Sequence, residues 1–180
     1  MEVPDQRVSA ATFAELALPL FDQLYNFAHW LTQDPHEAED LVQETYAKAL
    51  RGFSGFQPGT NFRAWMFRIL RNSFLTSRTG LKSTVPLEED AHETIPSPDP
   101  SPEDVLLEQA NRETVREALN ELTVPFREIL LLCDVEEMSY EEIAQVLAIP
   151  QGTVMSRLHR ARKALRTRLR EKSPGGVNAV

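Results

Sequence analysis

From Phe13 the apolar side chains return every three or four residues, at Phe13, Leu16, Leu20, Leu24, Phe27 and Leu31. That is the helical period, and it draws one apolar stripe. Asp34-Pro35-His36-Glu37 then starts a second helix. Asp34 can N-cap, Pro35 suits the first helical position and Glu37 can close a capping box. Behind this start, Ala38, Leu41, Val42, Thr45, Tyr46 and Ala49 form the buried side, and Glu37, Asp40, Gln43, Glu44 and Lys48 the exposed side. Gly52, Gly55, Pro58 and Gly59 make a turn region. A third helix begins near Thr60, with Phe62, Trp65, Met66, Ile69 and Leu70 on one side and Arg63, Arg68 and Arg71 elsewhere. The N-terminal half is thus expected to hold three helices.

The C-terminal half is expected to hold four. The first runs from about 103 to 122, and the second has Pro125 in its first turn and extends through Leu132. Ser139 with Glu142 makes a capping box for the third, and the last spans about 151 to 170. No segment alternates apolar and polar residues over strand length, which predicts an all-α chain. Between the halves, Pro86, Pro96, Pro98, Pro100 and Pro102 mingle with Glu88, Glu89, Asp90, Glu93 and Asp99. Missing backbone donors and mutual repulsion predict an extended, mobile linker. The expected division is a helical domain over 10–80, a linker over 81–104, a second helical domain over 105–172 and a disordered tail over 173–180.

Charge sharpens this division. The chain of 180 residues has a net charge of −8, which on its own speaks against nucleic acid. The charge is unevenly placed. Residues 1–80 carry 7 Lys and Arg against 9 acids, residues 81–110 carry 1 against 8, residues 111–149 carry 3 against 9, and residues 150–180 carry 8 against 1. A smaller basic stretch, Arg63, Arg68, Arg71, Arg78 and Lys82, contains no acid. Two separated basic surfaces on an acidic chain point to two nucleic-acid contacts and a third, different kind of partner. The single cysteine, Cys133, lies in an apolar run and reads as a small buried residue. It allows no internal disulfide and fits a reducing compartment. No signal peptide is visible, and no apolar run approaches the roughly 20 residues that span a bilayer, so a cytoplasmic location is expected.

The segment Ser139–Arg162 reads as a helix-turn-helix. Its acidic, apolar first half supports and its basic second half reads DNA. Ile143, Ala144 and Leu147 are expected to pack on Val154 and Leu158 across a short turn, Leu147 through Pro150. Gly152 and Thr153 open the second helix, where free N–H groups and the helix dipole favour phosphate. Gln151, Met155, Ser156, His159 and Arg160 are candidates for base edges, and Arg157, Arg162 and Lys163 for backbone phosphates. An amphipathic hairpin with a solvated basic tail is the plainer alternative. His159 has no second ligand at metal spacing, so no metal site is expected.

In the N-terminal half, Phe53, Phe56, Phe62, Trp65, Phe67 and Phe74 crowd a segment rich in arginine. They read either as core or, with Asn72 and Ser73, as a platform for unstacked bases. The acidic face of Asp40, Gln43 and Glu44 reads either as solvated or as an interface.

Three stretches together carry a resemblance. Asp34 through Ala49 resembles the core-polymerase-binding helix of bacterial sigma factors. Asn61 through Asn72 is similar to the helix that melts the promoter, and Ser139 through Arg162 to the helix-turn-helix that reads the upstream promoter element. Their order, with an acidic linker and no middle domain, is that of the extracytoplasmic-function (ECF) sigma factors, and the resemblance covers about residues 13 to 170. It implies a non-catalytic initiation subunit without cofactor, which binds the β and β′ subunits of core RNA polymerase and opens promoter DNA. Asp40, Leu41, Gln43, Glu44 and Lys48 become the polymerase contacts, with Asp40, Gln43 and Glu44 on the clamp helices. Arg63, Trp65, Arg68, Arg71, Asn72 and Ser73 become the minus-ten contacts, with Asn72 in the pocket for a flipped base, the loop from about Ser73 to Ser83 setting specificity, and the arginines holding the adjoining strand. Gln151, Gly152, Thr153, Met155, Ser156, Arg157, His159, Arg160, Arg162 and Lys163 become the minus-thirty-five contacts. Many relatives carry Lys or Arg at the position of Met155, a difference worth about 1–3 kcal/mol if it removes a bidentate base contact. The resemblance further implies a linker threading toward the RNA exit path, an anti-sigma partner, and a stress or envelope response. A conventional helix-turn-helix regulator explains the C-terminus and leaves the polymerase helix unused. An enzyme would need a phosphate loop, metal cluster or nucleophile–base pair, and none is visible.

Overall fold

The computed structural model describes residues 6–79 and 112–172, with side chains from Thr12 onward in the first span. The expected linker over 81–104, Lys82, the start of the helix near 103 and the tail over 173–180 lie outside the described residues. Eight α-helices and no strand are present among the described residues.

The first apolar stripe belongs to two helices, so the described residues of the N-terminal half hold four and not three. Helix α1 is Gln6–Ala17, a single 3-10 turn covers Leu18–Leu20, and α2 is Phe21–Thr32. Pro19, in that turn, has no N–H, and its ring occupies the space needed by the carbonyl one turn back. The break leaves Leu16 43% exposed and Leu20 half-buried, although both fit the stripe. Gln33 ends α2 with φ +59, its N–H donating to the His29 carbonyl at 2.8 Å.

Helix α3 is Pro35–Gly52. Asp34 caps it, its Oδ1 accepting from the N–H groups of His36 (2.8 Å) and Glu37 (2.9 Å). These bonds, the Glu37 N–H foremost, hold the carboxyl below its ordinary pKa. The reciprocal bond expected from Glu37 is not made. The Asp34 N–H donates to Thr32 Oγ1, and Glu37 pairs with Arg78 Nη2 at 3.0 Å. Tyr46 was expected in the core; it is half-buried, and its hydroxyl donates to the Ala17 carbonyl at 2.6 Å.

Helix α4, Phe62–Thr79, starts two residues later than expected. Asn61 Oδ1 accepts the Ala64 N–H at 2.9 Å and so caps the first turn. Helix α3 packs against both α2 and α4, around Leu24, Phe27, Val42, Met66, Phe67 and Leu70, all nearly fully buried. Phe27 and Phe67 meet with ring centroids 5.3 Å apart.

Helix α5 is Arg112–Asn120 and α6 is Val124–Leu130, with Pro125 in its first turn as expected. The α-helical part of α6 stops short of Leu132: residues Leu131–Val135 widen into a π-turn, with the Glu136 N–H donating to the Leu131 carbonyl. Arg127, itself buried, donates to the carbonyls of Leu119 (3.0 Å), Asn120 (2.8 Å) and Leu122 (3.0 Å). It thus caps the end of α5 from the next helix. Helix α7 is Tyr140–Leu147 and buries Ile143, Val146 and Leu147. Ala148 follows with φ +54, the left-handed conformation that ends a helix. Helix α8 is Gln151–Lys172, and α5 and α6 pack on it over Ile129, Leu132, Leu158, Ala161 and Leu165. Lys172 ties its far end to Glu117 (3.2 Å) and Glu121 (2.7 Å) of α5 and the turn after it.

The described residues fall into two compact units. One holds the helices up to Thr79 with Glu141–Ala148, and the other holds Arg112–Tyr140 with Ile149–Lys172. None of the described helices is long and apolar enough to cross a membrane.

Candidate nucleic-acid interface

On α3 the buried positions Ala38, Leu41, Val42, Thr45 and Ala49 set the orientation of the helix. They leave Asp40, Gln43 and Glu44 exposed along one line, at helical spacing. Leu41 is only 6% exposed and packs inward. Lys48 is half-buried; its Nζ lies 2.6 Å from Glu44 Oε1 and donates to Ser73 Oγ on α4 at 3.0 Å.

Helix α4 separates the six candidates for the minus-ten strand. Trp65, Arg68 and Asn72 share one face, since their spacing of three and four residues keeps them in line. Arg68 and Asn72 are exposed and Trp65 is half-buried. Trp65 packs on Phe56 and Phe62, with centroids at 5.1 and 5.6 Å, so its ring is both core edge and open surface. Arg63 lies roughly half a turn away from Asn72. Its Nε donates to Gln23 Oε1 on α2 at 2.9 Å, and its guanidinium sits 5.5 Å from the Phe67 ring centroid. Arg71 is half-buried, and Ser73 is buried at 2% exposure. The loop expected after Ser73 continues as helix to Thr79, and its remainder to Ser83 lies outside the described residues.

On α8 the exposed candidates form a stripe, Gln151, Met155, His159 and Lys163, each one helical turn apart. Met155 is 52% exposed. Gly152 is exposed beside them, while Ser156 and Arg160 are half-buried, Ser156 Oγ donating to the Thr153 carbonyl. In the first turn the N–H groups of Thr153 and Val154 already donate to the Pro150 carbonyl. Two arginines expected on phosphates are placed otherwise. Arg157 is 9% exposed, on the buried side with Val154, Leu158 and Ala161, as is Thr153. Arg162 is held by Asp134, Nη2 to Oδ1 at 2.7 Å, with Cys133 Sγ at 3.8 Å. Lys163 is the exposed cation of the three. Replacing Lys163 with Ala should therefore lower the slope of log affinity against log salt, on duplex upstream-element DNA, by about one. Arg162→Ala should leave the slope unchanged; equal losses would contradict the placement of Arg162.

Cys133 is half-buried, and burial with the neighbouring Asp134 pushes its thiol up to about 11. At pH 8 the reactive thiolate is then about a thousandth of the population. Alkylation by iodoacetamide should climb about tenfold per pH unit from 8 to 10. A plateau near pH 9 would show an ordinary thiol. No group of three or more His, Cys, Asp or Glu that could hold a metal occurs among the described residues.

Sequence reasoning missed Gln23 beneath Arg63, Asp134 beside Arg162 and the Lys48–Ser73 bond. Each joins residues at least 25 positions apart, and no local spacing announces such a pair.

Residues 19–84 match the family described as Sigma-70 region 2, and residues 112–165 match Sigma-70, region 4. The chain is 38% identical over 173 residues to the ECF RNA polymerase sigma factor SigE of Mycolicibacterium smegmatis, covering 91% of this chain and 66% of that one. It is 34% identical over 173 residues to the ECF RNA polymerase sigma factor SigL of Mycobacterium tuberculosis, covering 92% and 96%. Among solved structures it is similar to the sigma factor RpoE co-crystallised with the anti-sigma factor NepR from Bartonella quintana. The TM-score is 0.69 at 30% identity, over 90% of this chain and 99% of that one.

Proposed function

This chain belongs to the ECF sigma factors of the sigma-70 family, and from that premise we propose that it joins core RNA polymerase, directs it to particular promoters and initiates transcription there. The exposed line Asp40, Gln43 and Glu44 on α3 meets the polymerase. Trp65, Arg68 and Asn72 on α4 take the separated minus-ten strand, the indole and guanidinium stacking on bases that have lost their partners. Gln151, Met155, His159 and Lys163 on α8 lie along the minus-thirty-five element, with Gly152 facing phosphate at the helix start. The functional division follows the sequence, region 2 over 10–80 and region 4 over 105–172, joined through 81–104.

The work is recognition and strand separation; the chemistry of RNA synthesis belongs to the polymerase, and the chain contributes no catalytic group of its own. It acts where the polymerase acts, in the cytoplasm. An anti-sigma factor holds it inactive until a stress or envelope signal arrives. Cys133, with its disfavoured thiolate, is a poor redox sensor, so redox sensing, where present, lies with that partner.

The observation that carries the reading is the face of α4, where an aromatic ring, a cation and an exposed amide stand in one line. A conventional regulator that reads only duplex DNA has no use for that face. The test is binding of the fluorescently labelled chain to bacterial core polymerase. A joint Asp40→Ala, Gln43→Ala and Glu44→Ala change should weaken it at least about tenfold. No binding by the parent chain, together with retardation of duplex DNA by the chain alone, would favour the conventional regulator.

A further inference from the structure

A single ammonium group links the polymerase-facing helix to the base-capturing one. Lys48 Nζ sits 2.6 Å from Glu44 Oε1 and 3.0 Å from Ser73 Oγ. Glu44 belongs to the exposed acidic line of α3, and Ser73 follows Asn72 directly on α4. Hydroxyls inside a helix commonly return to a carbonyl of their own preceding turn. Thr45 does so with Leu41 (2.7 Å), and Ser77 with Phe74 (2.7 Å). Ser73, nearly fully buried, instead accepts a bond from the neighbouring helix. We infer that Lys48 is a positioning residue, a latch that sets the rotation of α4 from α3 and thereby couples polymerase docking at Glu44 to base capture at Asn72.

The inference rests on the reading of α3 and α4 given above and adds a role for Lys48, whose nitrogen is engaged inside the chain. The chemistry is simple. An ammonium has three donors and no acceptor, so it can satisfy a carboxylate and a hydroxyl at once. When a polymerase cation draws Glu44 outward, the ammonium loses its carboxylate and leans on Ser73, which stiffens the turn bearing Asn72. Coupling of this kind is reciprocal: the captured base tightens polymerase binding by the same factor that polymerase tightens base capture.

The experiment measures the affinity of the labelled full chain for bacterial core polymerase with and without a saturating single-stranded oligonucleotide. That strand is taken from a promoter found by run-off transcription. The ratio of the two affinities is the coupling factor. In Lys48→Met and in Ser73→Ala it should fall about fivefold or more below the parent, and the double variant should fall no further than either single one. Lys48→Arg, which keeps a cationic donor, should restore most of it. A merely structural role would instead lower the thermal midpoint and both affinities in proportion, leaving the ratio as in the parent. A parental ratio in Lys48→Met overturns the latch. Asn72→Ala separates this from the underlying reading: if it keeps the parental ratio, base capture by Asn72 is wrong, and if it loses the ratio while Lys48→Met keeps it, only the latch is wrong.

Discussion

Asn72→Ala should sharply lower promoter opening while leaving the chain able to join core polymerase. Asn72 is exposed on α4, in line with Arg68 and Trp65. Taking a base out of the duplex costs unstacking and unpairing, a few kcal/mol that the pocket must return. A carboxamide both donates and accepts, so it can meet the exposed edge of an extruded base with two bonds. Alanine offers neither. The loss of about 1–3 kcal/mol lowers the opening equilibrium constant roughly fivefold to a hundredfold. Permanganate reactivity of unpaired thymines reads the open fraction directly. Asn72→Asp, which accepts but cannot donate and adds charge beside the strand, should fall at least as far. Parental opening by Asn72→Ala would remove Asn72 from the pocket.

Arg127→Met should be the most damaging single change in the second unit. The guanidinium donates to three carbonyls, those of Leu119, Asn120 and Leu122, where α5 ends. Methionine fills much the same space and leaves all three without this donor in a buried setting. Breaking such charge-assisted bonds and stranding their partners costs about 3 kcal/mol. In a unit of this size that lowers the unfolding midpoint by roughly 10 °C or more. Arg127→Lys should recover only part, since an ammonium cannot reproduce the planar fork. Thermal unfolding followed by circular dichroism measures both. A midpoint within about 2 °C of the parent in Arg127→Met would show that water replaces the guanidinium without loss.

The helix starts that depend on neighbours in sequence were legible in it. Asp34 and Pro35 open α3 through bonds that reach two and three residues, so their letters suffice. Pro125 marks the start of α6 in another way, since its fixed φ and missing N–H suit a first turn. The exposed faces of α3 and α8 were mostly legible for a related reason, though Leu41, Thr153 and Arg157, expected as contacts, are buried. Apolar spacing orients each helix, and the exposed stripe is what remains. Pro19 shows the limit. Phe13 through Leu31 keeps a helical period across the break, so periodicity hid a turn that proline chemistry should have flagged.

Long-range pairs were not legible. Arg157 and Arg162 look alike in sequence, yet one is buried and the other is bound to Asp134. Arg127 sits beside Pro125 and Phe126 with nothing local to announce that it caps another helix. Gln23 and Arg63, 40 residues apart, meet only because α2 and α4 pack together. Spacing decides which face a residue occupies. Tertiary packing decides which of its charges are already spent.

Run-off transcription with bacterial core polymerase on a promoter library, with and without this protein, tests the central claim most directly. Transcripts should appear only with the protein, from promoters sharing two spaced elements, and Asn72→Ala should reduce them severalfold or more. No protein-dependent transcripts, with duplex DNA still retarded by the protein alone, would contradict a role in initiation.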